Sequence, residues 1–590
     1  MLNFKLSLPC LALLQLAIAA AETQKIFKAP RMGLQERFES DSSAASSLPN
    51  DPLFIDIPLD HFNASNRQTF PNRYWVNATY YEPGGPVFLF DSGEQNAEPL
   101  LPYYLQEYHG LSAVMQLAKR YRGVAFLWEH RFYGDSQPFP VNVSFLSSSA
   151  VRSPAHLRNL QENTTAAQWK FLNTEQALQD VVFFAESFPK TSGRAANTSS
   201  SHPGALAIHP SVVPWVWLGG SYPGVRGALL RQRNPETIFA AWVSSAPVQA
   251  QVDMASYYKA AERSLTRNCS ADWVAVTKFV DDTLNGSNET LKIDVKFDLL
   301  KARLSGPGGN TSAADGLTRQ RANATSSVDA ATILMDPLDF YQYYGFQDSL
   351  LPFCNLLETQ NSTAEPFEGG IVSALGVNAT FNAFMVALAE LDYDSIPGNA
   401  DDPVQDRSWM RQYCSEYGFY QRGDPENPLS IETSFLSLEL FQQQCSETFP
   451  DLQGPPQVQL INKYGGWDMK PSNILWTNGE FDPWRTMGLA SIESNSPQRK
   501  PTVSVPPPEL LSLDAICLLQ AAHFFGLTHS QMVHVSDMRV LLVPDSNHSD
   551  FKTVGFYSPV AQAPFYTGLG LFQLALDEWL PCFHGSSIDV

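Results

Sequence analysis

The chain has 590 residues, 44% of them hydrophobic, and a formal net charge of −21 at pH 7. That length allows more than one domain, each with a core of its own. The acidic excess disfavours nucleic-acid binding, which needs basic patches against phosphate. It is compatible with work in mild acid, where carboxylates protonate and self-repulsion falls.

In chain order, Lys5 is a small positive start and Leu6 to Ala20 an apolar run. Ala17-Ile18-Ala19 or Ala19-Ala20-Ala21 offers a small-x-small cleavage site, so residues 1–21 read as a secretory signal. Later apolar runs are too short to span a bilayer, so no membrane anchor is expected. Residues 51–250 alternate apolar strands with helical patterns, the signature of a parallel sheet. Residues 251–455 lose the strand signals and read as helices with Asn-rich loops. Within them Phe381, Phe384, Met385, Leu388 and Leu391 recur at helical spacing and read as core packing. Ser305 to Thr325 is rich in Gly, Ser, Ala and Asn and reads as a loop. Strand signals return over 456–590. The predicted fold is therefore α/β: a core in two parts, 51–250 and 456–590, interrupted by a helical cap domain over 251–455.

Secretion fits two further patterns. Asn63, Asn77, Asn142, Asn163, Asn197, Asn268, Asn285, Asn288, Asn310, Asn323, Asn361, Asn378 and Asn547 each begin Asn-x-Ser/Thr. Asn547 adjoins a candidate site residue and is expected to stay unmodified; the other twelve are expected to carry glycans. Outside the signal lie Cys269, Cys354, Cys414, Cys445, Cys517 and Cys582. Six cysteines allow fifteen pairings. The sequential pairs are Cys269–Cys354 and Cys414–Cys445, while Cys517 lies in a segment, Leu510 to Met532, of anomalous composition. No Cys-x-x-Cys or His-Glu-x-x-His spacing is present, so neither a metal nor a cofactor is expected.

One turn carries chemistry. The apolar run Val212 to Leu218 leads into Gly219-Gly220-Ser221-Tyr222-Pro223-Gly224, and Val225 to Leu230 continues as a helix. A serine between a buried strand and a helix, flanked by glycines, is what a nucleophile elbow requires. The pattern departs from Gly-x-Ser-x-Gly in that Pro223 holds the fifth position. Proline is compatible with the first helical turn, where N–H groups are spare. The Tyr222 N–H, next along, is the natural oxyanion donor. An acid and a histidine should follow in that order. Asp482 lies beyond the apolar run Ile474-Leu475-Trp476, and His548 beyond Arg539 to Val543. Each sits past an apolar strand, where open α/β sheets bind ligands. Taken singly, Asp482-Pro483 is an ordinary turn and His548 an ordinary loop histidine.

The chain resembles the serine peptidases that include lysosomal Pro-X carboxypeptidase, dipeptidyl peptidase II and the fungal acid prolyl endopeptidases. The resemblance rests on Asp60-His61-Phe62, Phe70 to Val76, Gly85 to Leu89 and Ser92-Gly93-Glu94. It continues through Glu129-His130-Arg131-Phe132-Tyr133-Gly134-Asp135-Ser136, Glu175 to Asp180, Gly219 to Gly224 and Asn478 to Trp484. It implies an α/β-hydrolase core with an inserted helical cap domain, and Ser221 as nucleophile, Asp482 as acid and His548 as base. It implies oxyanion donors at Tyr222 and Gly93, and substrate contacts at Trp484, Val225 and Glu94, with Trp484 walling a proline pocket. The motif His548-Ser549-Asp550-Phe551 is one residue shorter than the family's His-x-x-Asp-Leu. The implied function is a secreted or vacuolar/lysosomal peptidase cleaving after proline, with exopeptidase action favoured over endopeptidase. The substrates would be proline-containing peptides, and a homodimer stays open. The alternatives are an esterase- or lipase-type hydrolase and an inactive binding protein on the same fold.

Overall fold

The computed structural model describes residues 51–106, 112–140, 143–145, 160–162, 164–191, 206–307, 311–345, 349–359, 366–391, 402–424, 426–478, 482–497 and 562–584. Its centre is a seven-stranded mixed sheet. The strands are β1 (Leu53–Pro58), β2 (Thr69–Asn77), β3 (Val87–Asp91), β4 (Val124–Trp128), β5 (Trp215–Gly220), β6 (Ala240–Ser244) and β7 (Ile474–Thr477). Their order across the sheet is β1-β2-β4-β3-β5-β6-β7. β1 and β2 run antiparallel at one edge, and β4, β3, β5, β6 and β7 are mutually parallel. Val-Phe-Leu-Phe-Asp in β3 and Val-Ala-Phe-Leu-Trp in β4 are buried at every position, as a parallel strand covered on both faces demands. Pro214 delays β5 to Trp215, three residues past the start of the apolar run, because Val212 and Val213 first turn back on the His209 carbonyl.

Helices α1 (Ala113–Tyr121), α2 (Thr174–Glu186) and α3 (Tyr222–Arg233) flank the sheet. Val114 and Leu117 of α1 join Phe88, Phe90, Leu127 and Leu218 in one apolar cluster. The alternate residues Phe126, Trp128 and Trp215 point the other way, against Phe184 of α2 at ring separations of 5.7, 4.7 and 5.8 Å. Each such buried ring is worth about 2 kcal/mol by area. The mixed sheet between helices is an α/β fold.

A second unit, helical among its described residues, comprises Leu265–Pro397 with Glu426–Phe435. Its main helices are α4 (Arg267–Asn285), α5 (Glu289–Ser305), α6 (Leu351–Thr359), α7 (Gly370–Leu375) and α8 (Val377–Ala389). Trp273 of α4 packs on Phe353 of α6 and Phe384 of α8, each at 5.4 Å. Phe381, Phe384, Leu388 and Leu391 are all buried, so this stripe is core. Cys269–Cys354 staples α4 to α6. Asp272 accepts from the Ile371 and Val372 amides at 2.8 Å each and so caps α7. Two short helices, Thr311–Asp315 and Arg319–Ala324, occupy most of the stretch read above as a loop. The Thr318 side chain accepts from Arg321 N and starts the second of them, and the Ala residues tolerate the helix.

The sheet unit is completed by α9 (Pro403–Gln412), α10 (Leu438–Thr448) and α11 (Gln562–Trp579). A five-residue π turn, Tyr413–Tyr417, extends α9 and carries Cys414, which is disulfide-bonded to Cys445 of α10. Gly418–Tyr420 then pairs parallel with Gln251–Asp253. Phe572, Leu576 and Trp579 of α11 close the cluster on the α1 face. The two disulfides formed wholly among the described residues are the sequential pairs.

Candidate active site

Ser221 stands between β5 and α3 at φ +61, ψ −129, a conformation rare for any residue with a side chain. Two backbone bonds hold it there: its amide donates to the Ser244 carbonyl at 2.8 Å, and its carbonyl accepts from Val225 N at 3.0 Å. The turn is too tight for larger neighbours. A Cβ on Gly219 would lie 2.6 Å from the Pro223 carbonyl oxygen, and one on Gly224 would lie 2.9 Å from Ala246 Cβ. The displaced glycine is thus the one that clears the turn after β6. Trp217 Nε1 donates to the Pro223 carbonyl at 2.9 Å, which ties the proline turn back to β5.

The loop after β3 meets this turn from the other side. Gly93 has φ +60, and a Cβ there would lie 2.2 Å from Pro223 Cγ. Its amide donates to Asp91 Oδ1 at 3.2 Å. It ties the loop to Asp91. Asp91 is fully buried and receives Arg226 Nη1 on both oxygens at 2.7 and 2.6 Å. Burial pushes its carboxyl up to about 6, against the pull of Arg226. The pair locks the β3 loop onto α3. Glu94 is buried beside it, and Val225 is wholly buried within α3.

Asp482 lies past the end of β7, at the same carboxyl edge of the sheet as Ser221, with β6 between their strands. The Ser245 amide donates to the Thr477 carbonyl at 2.8 Å and joins the two ends. Asp482 is fully buried; Oδ1 accepts from Trp484 N at 2.9 Å and Oδ2 from Asn478 Nδ2 at 3.0 Å. The carboxylate is therefore held in one orientation. Trp484 is half-buried, with Tyr257 edge-on at 5.4 Å and Phe419 edge-on at 5.3 Å. His548 and Asn547 lie outside the described residues, as do Cys517 and the sequons Asn142, Asn163, Asn197, Asn310 and Asn361.

Behind Ser221 is a polar group whose function the sequence does not announce. The Tyr222 hydroxyl meets His130 Nε2 at 2.9 Å and Gln412 Nε2 at 2.8 Å. Burial, then the charge of Arg226, holds His130 well below the ordinary imidazole range. The Glu129 to Ser136 block marks His130 as notable, but nothing in the pattern of residues links it to Gln412. Among the sequons, Asn77 is an exception. It is buried at the end of β2, and its Nδ2 donates to the Leu105 carbonyl at 2.7 Å, so the nitrogen that would bear a glycan faces inward. Among the described residues, no group of three or more His, Cys, Asp or Glu side chains could hold a metal ion. No helix there is long and apolar enough to cross a membrane.

A sheet with a strained serine and a buried aspartate at its carboxyl edge is the framework of a hydrolase of the acyl-transfer kind. The chain matches the serine carboxypeptidase S28 family over residues 57–151, 159–300 and 346–499, and it belongs to that family. Among its relatives is the "Probable extracellular serine carboxypeptidase" of Arthroderma benhamiae, 26% identical over 77% of this chain and 62% of that protein. This chain therefore spans about three-fifths of that relative's length. The serine protease vicPb of Bipolaris victoriae is 25% identical over 72% of this chain and 76% of its own. The human thymus-specific serine protease is 28% identical over 78% of this chain and 84% of its own.

Proposed function

We propose that the protein is a secreted serine peptidase that cleaves after proline through Ser221, Asp482 and His548. The observation that carries this reading is Ser221 itself, a non-glycine at φ +61 in a strand-to-helix turn, in a chain of a serine peptidase family. Strain of about 1–3 kcal/mol persists where the surroundings over-determine it, and such positions cluster at functional sites.

In this mechanism neutral His548 takes the Ser221 proton as Oγ attacks the scissile carbonyl. Asp482, fixed by Asn478 and the Trp484 amide, holds the imidazole tautomer and stabilises the imidazolium. The Tyr222 amide stabilises the tetrahedral oxyanion. The acyl-enzyme is then hydrolysed by water. Trp484, buttressed by Tyr257 and Phe419, offers an apolar indole face on which a pyrrolidine ring can pack. A charged side chain would lose hydration there without a partner. A helical cap that limits access to short or terminal segments would favour exopeptidase action. The name of the Arthroderma relative, an extracellular carboxypeptidase, supports the extracellular reading.

The test is a cleavage map. A peptide library digested at pH 5 and sequenced by mass spectrometry should show cuts enriched on the carboxyl side of proline. Trp484→Ala should lower kcat/KM for proline peptides about tenfold or more, the scale of a lost apolar contact, while a small ester suffers less. Cuts without proline enrichment would overturn the specificity; hydrolysis of esters alone would overturn the peptidase.

A further inference from the structure

The buried polar group behind Ser221 forms one chain. Tyr133 Oη lies 2.6 Å from Gln412 Oε1, Gln412 Nε2 lies 2.8 Å from Tyr222 Oη, and Tyr222 Oη lies 2.9 Å from His130 Nε2. His130 Nδ1 ends the chain 2.6 Å from the Arg131 carbonyl. That last link sets the direction of every other. A carbonyl only accepts, so Nδ1 carries the proton and Nε2 is bare. The Tyr222 hydroxyl must then donate to His130, and its oxygen accepts from the Gln412 amide. The Gln412 carbonyl in turn accepts from Tyr133. No link can be reversed, and no member is charged.

Tyr133, His130 and Gln412 are fully buried, and Tyr222 is 2% exposed. Stability alone does not call for such an arrangement. Phe at 222 and an aliphatic residue at 412 would fill the same space with no polar group to satisfy, and such replacements are often neutral or stabilising. A fully satisfied directional chain instead specifies one geometry. The geometry it specifies is that of the residue after Ser221. Ser221 is pinned through its own amide and carbonyl, so the remaining freedom of the Ser221–Tyr222 peptide lies with Tyr222. Its ring is boxed by Tyr417 at 5.6 Å and Trp409 at 5.5 Å, and its far end is tethered by the hydroxyl.

We propose that Gln412 and His130 are positioning residues that aim the Tyr222 amide at the developing oxyanion by tethering the Tyr222 hydroxyl. The proposal rests on the reading of Ser221 as nucleophile and the Tyr222 amide as oxyanion donor. It adds that a segment 190 residues downstream in sequence sets the precision of that donor.

Three variants test it: Tyr222→Phe, Gln412→Leu and Gln412→Glu. Each is compared with wild type for labelling of Ser221 by a fluorophosphonate, for kcat and KM on a p-nitrophenyl ester, and for Tm. Removing an oxyanion donor outright lowers kcat by about 10²–10³; a donor left in place but loosely aimed should lose about tenfold to a hundredfold on that scale. KM should stay within about threefold, since the loss falls on the transition state. Gln412→Glu supplies the discriminating readout. Its carboxylate can only accept, so it repels the Tyr222 oxygen; protonated, it donates again. The ratio of its kcat to wild type should therefore rise as pH falls, whereas the Gln412→Leu ratio stays flat. Wild type that labels, with all three variants within about twofold of its kcat, would overturn the network alone. A loss shared by KM and Tm, with no acid recovery in Gln412→Glu, would reduce it to packing and also overturn it. Failure of wild type to label at Ser221 would bring down the nucleophile reading and the network with it.

Discussion

At the scale of single residues, the proposed site separates groups read as reacting from groups that hold. Ser221→Ala keeps the backbone bonds to Ser244 and Val225, because neither uses the side chain. It should abolish hydrolysis while secretion yield and Tm stay near wild type; residual turnover above a few per cent in the purified variant would remove Ser221 from the mechanism. Asp482→Asn is the sharper test. Asparagine can still accept from the Trp484 amide, but it cannot hold the required tautomer of the base. A comparable swap in the serine-protease template lowers kcat by ~10⁴. Steady-state kinetics at constant Tm should show a loss of that order, and a loss under about tenfold against that template would mean that another carboxylate fills the role. The strand ends that carry Ser221 and Asp482 were legible because each follows an apolar run and sits among turn residues. The Tyr222 tether was not, because its partners lie 92 and 190 residues away and only the fold brings them together. The bond from the Gly93 amide to Asp91 was equally hidden, since it depends on Asp91 being fixed by Arg226.

Among the elements, legibility follows what each stretch packs against. The continuous apolar runs of β3 and β4 announce strands buried on both faces, and the Phe381 to Leu391 stripe announces a core helix. The segment from Ser305 to Thr325 read as a loop because its composition is that of turns, yet a single Thr318 side chain suffices to start a helix there. The helical unit also holds a charge arrangement that composition could not reveal. Asp272 of α4 is buried and committed to capping α7. Glu358 of α6 is 7% exposed. Burial first, and the neighbouring Asp272 carboxylate second, push the Glu358 carboxyl up to about 7. A folded-state value above the unfolded one means that the folded form holds its proton more tightly. The stabilisation is complete below the ordinary carboxyl range and is lost as pH rises toward 7. Thermal unfolding should therefore show a higher Tm at pH 5 than at pH 7.5. Glu358→Gln should lessen that difference by removing one titrating group while keeping the shape, the buried Asp91 carboxyl contributing a remainder of the same sign. A wild-type Tm that rises with pH across this interval, or a variant with the same slope as wild type, would remove Glu358 as its source.

For the whole molecule, the many sequons bear on the proposed secretory route, and burial predicts where sugar can attach. Asn63, Asn285, Asn288, Asn323 and Asn378 are exposed, and Asn268 is half-buried. Asn288 spends its Oδ1 on the Leu291 amide at the start of α5, which leaves Nδ2 on the outer side of the helix. Asn77 is the opposite case. Its Oδ1 accepts from Thr79 N at 3.0 Å, and its Nδ2 donates to the Leu105 carbonyl at 2.7 Å, both at the end of a central-sheet strand. A sugar on that nitrogen would replace one of its two hydrogens and, in this buried position, force β2 and the segment around Leu105 apart. Parting them would leave the Leu105 carbonyl without its donor, at a cost of about 1–3 kcal/mol, so folded protein should carry no sugar there. Glycopeptide mass spectrometry of the purified protein, after deglycosylation in heavy-oxygen water, should mark the five exposed asparagines and leave Asn77 unlabelled. Substantial occupancy at Asn77 would mean that the end of β2 opens far enough to release its side chain, and absence of sugar at all five exposed sites would count against passage through the secretory pathway.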